Sequence, residues 1–150
     1  MKRLVLILSA LLLVPWVVAE DETRITAYLC IADMATGFVY ENGRWQRTNF
    51  DVSGNKYILR QPKKSDPEPL SDSPWLWGRF GQKYLLGICD ETDEYGDMEC
   101  SEGGGAAELF INLSSLRYQL YYQYGYVHSA DFKDTRDDTP LIEIGKCSAL

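Results

Sequence analysis

Apolar and polar side chains alternate with a period of two along most of the chain, the pattern of half-buried strands. Ile25, Ala27, Leu29 and Ile31 alternate with Thr26, Tyr28 and Cys30, which predicts a strand over 24–32. Phe38–Glu41 and Arg44–Arg47 flank Asn42-Gly43, the residue pair preferred in a two-residue type I′ hairpin turn. In that register Glu41 faces Arg44 and Tyr40 faces Trp45, cross-strand pairs worth about a few tenths of a kcal/mol each. A turn at Ser53-Gly54-Asn55 leads into a strand over Lys56–Arg60. Further strands are predicted over 83–88, 107–113, 116–126 and 141–147.

Two segments interrupt the alternation. Residues 61–74 carry Pro62, Pro67, Pro69 and Pro74 among Ser, Asp and Lys, which reads as a long exposed loop. The segment from Asp90 to Glu99 reads as an acidic loop, continued by a flexible Gly103-Gly104-Gly105 turn. No segment shows a sustained 3.6-residue apolar pattern. About eight strands with turn signals every 8–12 residues predict an all-β fold, a small antiparallel β-barrel or β-sandwich.

The N-terminus follows a different logic. Met1, Lys2 and Arg3 precede an uncharged run from Leu4 to Val18, and Val17-Val18-Ala19 places small residues before the acidic Glu20-Asp21-Glu22. This order is that of a signal peptide over 1–19, leaving a single β-rich domain over 20–150. As a helix the run spans roughly 22 Å, short of the ~30 Å hydrocarbon core, so a retained membrane anchor is disfavoured. The expected location is the periplasm or the extracellular medium. Loss of Lys2 and Arg3 takes the net charge from −7 to −9. Such a surface repels nucleic-acid phosphates and anionic lipid and attracts a basic protein or a cation.

All four cysteines lie beyond the leader. In an oxidising compartment an even number reads as two disulfides, for which three pairings exist. Cys89–Cys100 closes a short polar loop, and Cys30–Cys147 ties the first predicted strand to the last. Zinc is the alternative, but the chain has no C-x-x-C pair and one histidine.

Tyr28-Leu29-Cys30, Ala35-Thr36-Gly37-Phe38-Val39-Tyr40, Trp45 and Phe50, with the closing Asp138–Ser148 stretch, resemble a loose group of small exported bacterial proteins of unknown function. The layout of an early Tyr-x-Cys and a late Cys is also similar to periplasmic lysozyme inhibitors of the small β-barrel type. Ser53-Gly54-Asn55-Lys56-Tyr57 has the spacing of their Ser-Gly-x-x-Tyr signature, and Trp75–Gly78 matches a tryptophan-rich segment followed by glycine. This second resemblance implies a cationic lysozyme-like enzyme as partner.

Catalysis finds little to work with. His128 stands in a polar stretch, no serine lies in a G-x-S-x-G setting, and the cysteines are expected to be oxidised. No catalytic residue and no cofactor is assigned, and the domain is not expected to be an enzyme. Glu91, Asp93, Asp97, Glu99 and Glu102 sit near the ligand positions of a calcium loop, with Gly96 at its turn position. Tyr95 and Cys100 depart from that pattern. Asn112-Leu113-Ser114 is a formal glycosylation sequon, discounted because the leader looks bacterial. Trp75 and Trp77 are candidate sugar or partner contacts, with burial over one end of a barrel as the alternative. On the long strand, Tyr118, Tyr122, Tyr124 and Tyr126 share the leucine face, and Tyr121 points the other way, toward solvent or a partner. The expected function is a binding module for a basic protein. The alternatives are a carbohydrate-binding or carbohydrate-active domain using Trp75 or Trp77, and a structural envelope protein.

Overall fold

The alternation resolves into nine antiparallel strands in a computed structural model that describes residues 25–126 and 139–150. The expected leader and His128 lie outside the described residues. The strands are β1 (Ala27–Glu41), β2 (Arg44–Phe50), β3 (Lys56–Arg60), β4 (Trp75–Arg79), β5 (Leu85–Cys89), β6 (Asp97–Glu102), β7 (Ala107–Asn112), β8 (Arg117–Tyr122) and β9 (Leu141–Ala149). From β3 to β9 each strand pairs with the next, and β1 pairs with both β3 and β9. Eight strands therefore close into a barrel, and β2 is an extra strand on β1. Of the two expected architectures, the barrel is the one formed. No α-helix occurs among the described residues.

β1 does two jobs because it is long. Its first five residues pair with β3, while residues 35–41 pair with β2 through the expected hairpin. Glu41 faces Arg44 and Tyr40 faces Trp45, their rings 5.6 Å apart, with Asn42 and Gly43 at φ of 53° and 78°. Between these halves the register with β9 slips at Ala32/Met34. A bulge there shifts the inward phase from Tyr28 and Cys30 to Ala35 and Gly37. It also fuses into one strand what the sequence divides into two.

The interior is lined by Tyr28, Cys30, Tyr57, Leu59, Trp77, Leu109, Ile111, Tyr118 and Leu120, among others. The inward set of β1 is not the more aliphatic one, since Ile31 is exposed, as is Ile25 just before the strand. β6 corrects the expected acidic loop: Met98 and Cys100 point inward while Asp97, Glu99 and Ser101 are exposed. On β8 the leucine-face assignment holds for Tyr118, but the strand ends at Tyr122 and Tyr126 is exposed in a turn. Both disulfides join residues directly opposite one another, Cys30 with Cys147 across β1–β9 and Cys89 with Cys100 across β5–β6. Two disulfides are compatible with an oxidising, extracellular compartment.

The Pro-rich segment has defined contacts. Arg60 grips Asp66 with both guanidinium nitrogens at 2.7 and 2.9 Å, and the Lys63 backbone N–H donates to the same carboxylate at 2.7 Å. Leu76 lies opposite Arg60, on the outer side of β4, and is fully buried there. The hydrogen bond from Arg60, then that from Lys63, hold the Asp66 carboxyl down at about 2. An unfolded aspartate titrates near about 3.9. The stabilisation from this clasp is therefore complete above about pH 4 and is lost as pH falls toward 2. A carboxyl-detected NMR titration is expected to place Asp66 near about 2. A midpoint near 4 would mean that the clasp is open in solution.

Candidate functional site

Outside the barrel, β6–β9 and β1 carry aligned rows of outward side chains. One row runs Glu99, Phe110, Gln119, Ile144 and Met34 from strand to strand. Phe110, Ile144 and Met34 remain exposed. Together with the segment that precedes β6, these strands enclose an open groove of about 800 Å³. Asp33, Asp90, Glu91, Asp93, Asp97 and Glu99 line it, against Arg117 and Lys146 as its basic residues. Lys146 is 3.6 Å from Asp33 in an exposed pair, which adds about 0–1 kcal/mol at most. The groove is thus apolar in its floor and predominantly negative at its walls.

The acidic segment keeps its shape through its own hydrogen bonds. The Asp93 carboxylate accepts from the backbone N–H groups of Tyr95 and Asp97 at 2.9 and 2.8 Å. The Asn112 amide donates to Asp97 at 2.8 Å and to the Tyr95 carbonyl at 3.0 Å. Gly96 has φ of +89°, and a β-carbon there would meet the Ser114 hydroxyl at 2.5 Å. Its glycine is thus required by a tight turn, independently of any ion. Asp93 and Asp97 are two of the expected calcium ligands. The carboxylates of Asp93 and Asp97 are engaged by N–H donors, and Glu99 and Glu102 lie on a strand. Among the described residues no group of three or more His, Cys, Asp or Glu is placed to hold a metal ion. Asn112 of the sequon is likewise occupied as a brace.

The three expected contact residues part company. Trp77 is 1 % exposed and packs in the core, the alternative weighed for it, so it offers no contact on the outer surface. Trp75 is half-buried, packed on the core with its ring 5.7 Å from Tyr28. Tyr121 is outward, as expected, half-buried and edge-on to Phe110 at 5.8 Å, with Ile142 opposite. In the Ser53–Tyr57 segment, Ser53 and Gly54 form an exposed turn, but Tyr57 points into the barrel and is buried.

Inside the barrel lies a group that the sequence reading passed over. Glu143 is 1 % exposed. Its carboxylate accepts from the Tyr118 hydroxyl at 2.8 Å and from the Asn55 amide. Burial first, then the Glu143 charge, push the phenols of Tyr57 and Tyr118 well above the ordinary tyrosine range; Arg79 partly offsets this at Tyr57. Both phenols therefore stay protonated and available as donors at neutral pH. The rings of Tyr57 and Trp77 are 6.0 Å apart, and those of Tyr57 and Tyr118 5.9 Å. Beside the carboxylate is a cavity of about 150 Å³, lined also by Trp77, Arg79, Glu102 and Tyr122. The signal for Glu143 was present in the chain: Cys147 must face inward to reach Cys30, and a period of two carries that face back through Gly145 to Glu143.

Comparison with family models, with curated proteins and with solved structures finds no match for this chain.

Proposed function

We propose that the protein is an exported, non-catalytic binding module that holds a basic protein in the acidic groove on the outside of its barrel. The leader is removed after Ala19, and the mature domain works in the periplasm or outside the cell. The observation that carries this reading is the groove itself, six carboxylates around an exposed apolar floor. Apolar contact supplies area, and the wall charges supply attraction and orientation. Basic side chains of a partner would meet Asp90, Glu91 and Glu99, while Phe110, Tyr121 and Ile144 would be covered.

A cationic lysozyme is the first partner to assay, on the strength of the resemblance in Ser53–Tyr57 and Trp75–Gly78. Surface plasmon resonance across a salt series is expected to show association slowing as ionic strength rises, because the Debye length is ~10 Å at 0.1 M. Charge reversal at two groove residues, Asp90→Lys with Glu99→Lys, is expected to slow low-salt association by roughly tenfold and to leave the melting temperature nearly unchanged. Reversal that leaves association and its salt dependence intact would remove the groove from the account. A parallel muramidase assay reads whether the bound enzyme is inhibited.

A further inference from the structure

We infer that the cavity inside the barrel is a second binding site, independent of the groove, for a small primary ammonium that also carries an oxygen acceptor. Glu143 is the first reason. A carboxylate removed from water is costly unless it is paired. Among the described residues no lysine or arginine comes within ion-pair distance of it. Tyr118 and Asn55 supply hydrogen bonds but no positive charge. A carboxylate has about four lone-pair sites, so acceptor capacity remains. The cavity lining holds two carboxylates, Glu143 and Glu102, against one guanidinium, Arg79, so an ammonium is attracted into it, and the rings of Tyr57 and Trp77 border the same space.

Trp77 is the second reason, and it is independent of the first. Trp77 lines the same cavity, is 1 % exposed, and among the described residues its indole N–H has no hydrogen-bond partner. Buried indole N–H groups usually find an acceptor. An oxygen on the ligand would provide one, and Arg79 at the same cavity suits a hydroxyl or a carboxylate equally. Size limits the class further. About 150 Å³ equals about five water volumes, so the occupant has on the order of six non-hydrogen atoms. Amino alcohols and small amino acids meet all three conditions.

The test uses the full mature domain with ethanolamine and glycine as probes, read by calorimetry and by the Trp77 indole N–H resonance. Ethanolamine or glycine is expected to give saturable heat and to shift that resonance. Ethanol and acetate, which lack the ammonium, are expected to do neither. Ethylamine, which lacks the acceptor, is expected to bind more weakly than ethanolamine. Glu143→Gln is expected to weaken binding by roughly tenfold or more. The probe series needs no variant, so it decides the matter even where Glu143→Gln fails to fold. Absence of a saturable shift with both ethanolamine and glycine, or an equal response to ethanol, would overturn the proposal. Neither result bears on the groove, whose partner is read by a different measurement.

Discussion

Replacing Cys30 and Cys147 together by alanine is expected to destabilise the domain by about 5 kcal/mol, and replacing Cys89 and Cys100 by about 3. The difference comes from the unfolded chain. The two links span sequence separations of 117 and 11 residues. Closing the longer loop removes more freedom from the denatured ensemble, and the penalty grows with the logarithm of loop length. Position adds to the effect. Cys30–Cys147 crosses the β1–β9 seam, where the ends of the described chain meet and the barrel closes. Cys89–Cys100 joins neighbours in a hairpin that the chain forms locally. Urea unfolding of the two double variants, with m-values compared, is the measurement. A larger loss from the short link would show that native-state contacts, and not loop closure, dominate.

Trp77→Ala is expected to cost about 3–5 kcal/mol, the range for deleting a buried aromatic side chain. For a domain of this size that lowers the melting temperature by about 10–20 °C. Trp77 sits opposite Leu59 and Gly87, within the interior cluster. Nothing else on β4 fills that space, so a cavity remains. Trp77→Phe keeps a ring and removes an indole N–H that has no partner among the described residues, so its cost is expected to be much smaller. Trp75→Ala should fall between the two, because Trp75 is only half-buried. Differential scanning calorimetry of the three variants orders them. A Trp77→Ala protein that melts like the parent would show that Trp77 does not hold the core together.

Legibility in the sequence followed the range of the interactions. The β1–β2 hairpin was readable to the residue because Asn42-Gly43 encodes its turn locally and the facing pairs agree with it. β6 was not, because Asp97, Glu99 and Glu102 dominate its composition. The informative signal was the alternation of Met98 and Cys100 between them. β4 carries too short a pattern to show a period, five residues rich in tryptophan. The groove walls were visible as an acidic stretch, but its floor was not. Phe110, Gln119 and Ile144 come from three strands and meet only through register.

The sequence by itself determined the all-β class and the local turns, which depend on alternation and on turn residues, and it favoured one of the three possible disulfide pairings without fixing it. Closure of the barrel decided the rest. In β1, Leu29 and Ile31 are as apolar as Tyr28 and Cys30, so alternation defines two faces without saying which looks inward. The covalent link from Cys30 to Cys147 and the pairing of β1 with β9 settle it. The same closure draws Glu143 into the interior beside Tyr118 and Asn55, which are 25 and 88 residues away in sequence. A carboxylate on a strand is ordinarily a solvent-facing residue. Here it is buried because β9 pairs with β1 and completes the barrel wall around it.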